Sequence, residues 1–318
     1  MEWAERIGRR IKLRDLHILL VVSQHGSMVR AASHLAVSQP VISKVIAELE
    51  ATIGSKLLER NRTGVELTEA GHVLLRRGVV VFDELQQGVR EIESLADPAA
   101  GELRIAGPGT VVGGLFPVVM ERLSRSHPRM TFRVSQVTDV AQQVQELRER
   151  RVDLVIRRLS DGIQNESDLA VEVLFNDPPL IAAGNNNPWV RRRNIKLAQL
   201  VNEPWVLPPS DTDVGSYIKE LFGQTKLPVP SARIVAASMD LNHALLATGR
   251  YLAIYPHSLL MFSGKRLAIK KLMVEIPEKV MEFGAIYLKR RQLSAAAKLF
   301  INCAREVSAP LARQFTNK

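Results

Sequence analysis

Residues 27–49, SMVRAASHLAVSQPVISKVIAEL, decide how the N-terminal part of this chain folds. Ser27 has a hydroxyl suited to an N-cap, and Ala31, Ala32 and Leu35 give a short helix one apolar face. Ala36 and Val37 interrupt that spacing. Ser38 stands as a second N-cap, and Pro40 falls in the first turn of the next helix, where a missing N–H costs little. At 100° per residue, Ile42, Val45, Ile46 and Leu49 share one side of that helix. Gln39, Pro40, Ser43, Lys44 and Ala47 share the other. This outer side is small, polar and lightly charged, so it can lie close against another surface. Two short helices joined by a tight turn, the second with a slim polar face, describe a helix-turn-helix whose second helix enters the major groove. A helical hairpin with a solvated face has the same periodicity.

Outward from this stretch, Leu13 to Gln24 predicts a helix whose Leu16, Leu19, Leu20 and Val22 pack behind the pair. His17 and His25, at its ends, read as surface or packing residues. Lys56 to Leu67 reads as two short strands around Asn61-Arg62-Thr63-Gly64, with Gly64 available for positive φ. Thr68 opens a long helix through Leu95. Its Leu74, Gly78, Val81, Leu85, Gly88, Ile92 and Leu95 alternate four and three apart, a heptad seam. A monomeric core helix has the same spacing, but the head offers this helix no other obvious partner, so a dimerising helix is expected. The seam glycines weaken the helix by about 1 kcal/mol each but let a partner approach closely. Asp97-Pro98-Ala99-Ala100-Gly101 ends it and marks a domain boundary.

The run AAxxLxVSQPxxSxxIxxLE, with Gly54, Leu57-Leu58-Glu59-Arg60 and Leu67-Thr68-Glu69-Ala70-Gly71 behind it, closely resembles the N-terminal signature of LysR-type transcriptional regulators. The resemblance implies a winged helix-turn-helix over residues 1–67, a dimerising linker helix over 68–97 and an effector-binding domain over 98–318. It makes Ser38, Gln39, Pro40, Ser43 and Lys44 the groove-facing residues, with Arg30, Arg60 and Arg62 placed to meet phosphate or, at the wing tip, the minor groove. It also implies double-stranded operator DNA, a homodimer or homotetramer, a small-molecule effector and RNA polymerase as partners, with no cofactor and no metal.

Charge does not by itself lead to nucleic acid. Of the net +10, residues 1–98 contribute nothing, holding 13 basic and 13 acidic side chains, while the remaining 30 basic and 20 acidic residues carry the excess. Binding through the head therefore rests on local placement of Arg30, Lys44, Lys56, Arg60 and Arg62. The lone cysteine, Cys303, leaves no internal disulfide and fits a reducing compartment. The charged start MEWAERIGRRIK lacks the apolar core of a signal peptide, and no apolar run is long enough to span a bilayer, so a cytoplasmic location is expected.

After Gly101 the pattern becomes strand, turn, helix, strand. LRIAG, TFRVSQV, VDLVIRR, LIAAG, WVLP, RIVAAS, YLAIYP and FGAIYL alternate with helical stretches such as Gly114–Ser126 and Val140–Arg150. That order predicts mostly parallel sheets covered on both faces. The same order resembles the family's two-lobed α/β effector domain, built like type 2 periplasmic binding proteins. On that resemblance lobe one spans about 102–175 and 268–305, lobe two about 176–267, with crossovers near Asp177-Pro178-Pro179 and Ala268–Pro277.

Gly107-Pro108-Gly109-Thr110-Val111-Val112-Gly113-Gly114 follows a strand and opens a helix, as a dinucleotide fingerprint does. Pro108, however, removes a backbone N–H from the turn, and the next strand ends about thirty residues from Gly109 instead of roughly twenty. In the regulator reading the same turn sits at the carboxyl end of the sheet, where ligands of open α/β folds bind. Thr110 and Val111 correspond to family positions that contact the effector, and Thr138 joins them from the next strand end. Arg157 and Arg158 close the strand after Val152 where relatives often carry glycine; they read as an anion clamp or as surface arginines. Pro208, Ser210, Ser238 and Tyr255 are the lobe-two candidates. A sugar, an organic acid or an aromatic acid fits as effector, and QPVISK helices like those of sugar-uptake regulators tilt toward sugars or small acids.

No catalytic signature is present: there is no G-x-S-x-G, the single cysteine has no partner, and the seven histidines never fall at H-x-x-x-H. Asp139 and Asp153 read as capping and loop residues. The competing readings are a solute-binding protein, which leaves the head unexplained, and an NAD-dependent enzyme using the α/β lobes.

Overall fold

The computed structural model describes residues 10–61, 64–96, 100–159, 162–210, 212–277 and 281–315. They fall into two compact units divided between Val89 and Arg90.

The first unit is built on α1 (Leu13–His25), α2 (Met28–His34) and α3 (Gln39–Ile53). Ser27 caps α2 by accepting from the Arg30 N–H at 3.4 Å. Ser38 occupies the N-cap of α3, but its side chain makes no capping bond, against the sequence expectation. Its carbonyl takes the first turn instead, from Val41 N–H at 3.0 Å. Ala36, at φ 52°, makes the turn between α2 and α3. Ile18, Leu19, Val22, Ala31, Ile42, Ile46, Leu49 and Leu57 close the core behind them; burying each large side chain contributes about 1.5–3 kcal/mol. Strands β1 (Leu58–Asn61) and β2 (Gly64–Leu67) form the wing, with Arg60 opposite Val65. Gly64, at φ 145°, brings β2 against the α1–α2 turn: Val65 N–H donates to Gly26 O at 3.0 Å, and a Cβ on Gly64 would stand 2.2 Å from that oxygen.

The wing is tied to α3 by one carboxylate. Glu50, 8% exposed, accepts from Leu57 N–H at 2.9 Å, Leu58 N–H at 3.3 Å and Lys56 Nζ at 2.7 Å. Burial pushes its carboxyl up, but Lys56 and the two backbone donors outweigh that and hold it below the usual range. Helix α4 (Glu69–Ala96) then leaves the wing. Its Gly78 faces Leu16 of α1, and Phe82 meets His17 edge-on, so this stretch of α4 packs on the head's own first helix. Val81, Leu85 and Ile92 of the heptad seam are exposed; the side chain of Leu95 lies outside the described residues.

The second unit has two sheets. In lobe one the strand order is β4 (Arg129–Gln136), β3 (Ala100–Gly107), β5 (Leu154–Arg158), β12 (Glu282–Leu288), β6 (Leu169–Asn176). Helices α6 (Leu115–Ser126) and α11 (Ala295–Phe315) cover one face through Phe116, Val119, Phe300 and Ala304, and α7 (Val140–Arg148) covers the other through Val144 and Leu147. In lobe two the order is β11 (Ile269–Lys271), β7 (Pro179–Gly184), β10 (Leu252–Pro256), β8 (Trp205–Leu207), β9 (Ala232–Val235). Helix α8 (Asp213–Gln224) buries Tyr217, Ile218 and Phe222 on one face; α9 (Met239–Ala247) and α10 (His257–Leu267) lie on the other.

Three expectations change here. The sheets are half antiparallel, because β12 and β7 enter from the opposite lobe and run against their neighbours. Strands β6 and β11 were not among the sequence runs. Lobe two also extends past residue 267, since β11 pairs with β7 and Ile195 bridges Val274. The crossovers are bonded to one another: Asp177 N–H donates to Met281 O at 2.8 Å, and Met281 N–H to Asn176 Oδ1 at 2.7 Å.

Candidate nucleic-acid interface and interlobe cleft

On α3 the buried row Ile42, Ile46, Leu49 turns Gln39, Pro40, Ser43, Lys44 and Ala47 outward. Gln39 Nε2 donates to Ser43 Oγ at 2.8 Å, and Ser43 Oγ in turn meets Met28 Sδ at 3.4 Å, so both side chains are pre-set on the surface. Lys44 stands 3.9 Å from Glu48, both exposed, an i,i+4 pair worth a few tenths of a kcal/mol. Arg30 is exposed on α2. Lys56, one of the cations on whose placement binding was expected to rest, is paired with Glu50 at 2.7 Å. Arg60 lies on β1, and Arg62 lies outside the described residues.

A cavity of about 360 Å³ opens between the two lobes of the second unit. Lobe one supplies Thr110, Thr138, Arg157 and Arg158 from the carboxyl ends of its strands and the turns that follow them, and lobe two supplies Pro208 and Tyr255. Gly109 permits this closeness, since a Cβ there would lie 2.7 Å from Met239 Cγ across the cleft. Three candidates lie elsewhere. Val111 is 4% exposed in the core of lobe one, because its position in the five-residue helix α5 (Gly109–Gly113) points it into the sheet. Ser210 is exposed beside the cleft, outside its lining. Ser238 is likewise exposed; its hydroxyl caps α9, accepting from Leu241 N–H at 3.3 Å.

The residues that sequence reasoning missed sit one helical turn inside the caps. Gln143 lies four after Asp139, which caps α7 through Gln142 N–H at 2.7 Å, and Asn242 lies four after Ser238. A polar side chain one turn behind a cap, on a helix face that otherwise buries, was the available signal. Gln143 Nε2 donates to Val137 O at 2.6 Å, leaving Oε1 buried and unpartnered among the described residues, as are Asn242 Oδ1 and the Tyr255 hydroxyl. Buried polar atoms without partners cost about 1–3 kcal/mol each, and these three line one cavity. The rest of the lining is largely apolar: Val206, Val214, Met239, Ile254, Met281 and Phe283.

Asp177, fully buried at the crossover, accepts from Ser258 N–H at 2.8 Å and from the Ser258 hydroxyl. Burial pushes its carboxyl up to about 7, against the lowering effect of the Ser258 and His257 donors. Its folded value lies above the unfolded one, about 3.9. The associated stability is therefore complete below about pH 4 and is lost as pH rises through 7. Replacing Asp177 with Asn should flatten this dependence: from pH 5 to 8 the wild-type melting temperature should fall several degrees more than that of the variant. Parallel melting curves across that range would refute the assignment.

Residues 13–72 match the family described as bacterial regulatory helix-turn-helix protein, lysR family, and residues 96–309 match the LysR substrate binding domain. The HTH-type transcriptional regulator GbpR of Azospirillum brasilense is 27% identical over 304 residues, 94% of this chain and 87% of GbpR. The HTH-type transcriptional regulator TdcA of Escherichia coli K12 is 26% identical over 299 residues, 94% of each chain. Among solved structures, full-length CbnR complexed with its target DNA shares the fold at a TM-score of 0.66 and 23% identity, covering 93% of this chain and 99% of that one. Full-length OxyR from Pseudomonas aeruginosa does so at 0.65 and 20%, covering 93% and 95%. With both halves matched in order, the chain belongs to the LysR family of transcriptional regulators and carries a DNA-binding helix-turn-helix and an effector-binding domain.

Proposed function

We propose that this regulator reads a dyad-symmetric operator with the outer face of α3, as a homodimer or dimer of dimers joined through α4, and that an effector in the interlobe cleft sets its activity. The observation that carries the reading is the pre-set Gln39–Ser43 pair on a slim face backed by a buried apolar row. Gln can bond an adenine edge bidentately and Ser either base type, each good pair discriminating by about 1–3 kcal/mol. The exposed Val81, Leu85 and Ile92 give α4 an apolar stripe for a second copy. A two-fold pairing sets recognition helices about one DNA turn apart.

The cleft suits a compact molecule with an apolar body and several hydrogen-bonding groups, matching its apolar walls and the three unpartnered polar atoms. Effector binding shifts the lobe or subunit arrangement, and through it DNA bending and contact with RNA polymerase. The protein acts in the cytoplasm, needs no cofactor and performs no catalysis. Among the described residues no helix is long and apolar enough to cross a membrane.

Footprinting the protein on its own upstream region, against unrelated DNA at matched salt, tests the reading. Protection of a dyad-symmetric site is expected. The double variant Gln39→Ala, Ser43→Ala should lose roughly ten- to hundredfold in operator affinity and little on random DNA. Unchanged operator preference in that variant would remove α3 as the reading element.

A further inference from the structure

We propose that lobe two of the effector domain carries a second, sequence-independent DNA surface that grips the phosphate backbone of duplex flanking the operator. The proposal rests on the operator-binding reading above.

The excess positive charge lies outside the head, and the fold collects a large part of it on one edge. No Asp or Glu occurs between Asp177 and Glu203, or between Asp240 and Glu275. Those acid-free segments contain nine cations, seven of which are Arg191, Arg192, Arg193, Arg250, Lys265, Lys270 and Lys271. Strand β11, at the sheet edge, carries Lys270 and Lys271. The loop with the arginine triplet is clipped along this edge at both ends: Asn185 N–H donates to Ala268 O at 2.9 Å, and Ile195 N–H to Met273 O at 3.0 Å. The clips are five residues apart on the edge side, roughly 17 Å of extended chain. Arg250 joins the same corner, because the neighbouring Gly249 packs against Asn186, its Cα so close that a Cβ would lie 3.1 Å from it. Lys265 arrives through the end of α10, whose cap residue Ala268 donates to Lys265 O at 3.3 Å.

All seven cations are exposed, and among the described residues none takes part in an ion pair. Lobe one behaves differently: Arg122, Arg133, Arg148, Arg151 and Arg305 each meet a carboxylate. On lobe two the guanidinium of Arg192 is instead held 4.4 Å over the Trp189 ring, which fixes its plane without neutralising it. Concentrated unneutralised charge repels itself and costs stability unless a polyanion covers it. Duplex DNA presents one charge per about 1.7 Å of axis, dense enough to engage several of these cations over the clipped edge. The arginine forks match phosphate geometry.

The test compares operator affinity against salt for a fragment trimmed to the footprint and one extended by random-sequence flanks. Each neutralised phosphate adds about 0.9 to the salt slope. The wild type should therefore show a slope steeper by about 2–3 on the extended fragment. The triple variant Arg191→Gln, Arg192→Gln, Arg193→Gln should lose that difference and about tenfold in affinity at physiological salt, on the extended fragment alone. The corresponding triple Arg→Lys variant should keep the slope. Equal wild-type slopes on the two fragments would overturn the proposal, as would a Gln variant matching wild type or a Lys variant that also loses the slope. Failure of the trimmed fragment to bind would instead count against the reading of α3.

Discussion

Replacing Asp153 with Asn should lower the melting transition of the effector-binding unit by roughly 6–20 °C, corresponding to 3–5 kcal/mol at 2–4 °C per kcal/mol. Asp153 precedes β5 and holds two arginines from different parts of lobe one. Arg104 on β3 reaches Oδ1 at 2.7 Å and Oδ2 at 3.3 Å, and its backbone N–H reaches Oδ2 at 2.9 Å. Arg291, just beyond β12, reaches Oδ1 at 2.7 Å. Side-chain exposures of 10% for Asp153 and 7% for Arg291 leave little solvent to screen the charges once the carboxylate is gone. Burial pushes this carboxyl up, but the Arg104 hydrogen bond and the charges of Arg291 and Arg104 hold it below the usual carboxylate range. With a depressed folded value, its contribution is present above the unfolded value of about 3.9 and is lost as pH falls through the folded one. The gap between wild type and variant should accordingly be full at neutral pH and shrink only in strong acid. A variant melting with the wild type at pH 7 would show that the three groups contribute nothing net. From sequence Asp153 read as a loop residue; its partners are 49 and 138 positions away, beyond any local pattern.

Gly71→Ala should destabilise the head by about 1–3 kcal/mol and reduce operator affinity at least tenfold, although alanine is the better helix former by about 1 kcal/mol. A Cβ on Gly71 would stand 2.1 Å from Leu57 O and 3.0 Å from Leu67 Cδ2. Leu57 O cannot simply give way, since it accepts from Thr68 N–H at 3.0 Å. Thr68 Oγ1 also donates to Lys56 O at 2.7 Å and accepts from Gly71 N–H at 3.0 Å. The segment Leu67-Thr68-Glu69-Ala70-Gly71 is thus a junction of wing and helix with no room for a methyl group. Circular dichroism melts and operator titration check this; a stabilised head with full affinity would sink it.

The helix-turn-helix was legible because its determinants are local: caps, a 3.6-residue period and a turn, all within 23 positions. The cleft was half legible. Thr110 and Thr138 follow strands and Arg157 lies at the end of one, and strand ends are visible in sequence; Val111 missed because one step along a short helix swings a side chain from cleft to core. Strand β6 escaped because Glu172 interrupts its apolar run and Val173 is 46% exposed, and β11 because two of its three residues are lysines. Gly78 looked like a seam for a partner helix, and the residue it faces within the head, Leu16, is 62 positions away.

The bonded crossovers have a mechanical corollary. Two chains laced side by side through Asp177, Met281 and Asn176 make a strap that folds readily about the line across its width but resists torsion and sliding, as a door on two pins does. The lobes thereby retain one soft coordinate, the opening angle, and hinge residues of this kind absorb that motion in a few dihedrals. On the proposed reading, whatever the cleft takes up is transcribed into a single angle, so chemically different occupants that wedge or close the lobes equally send the same message.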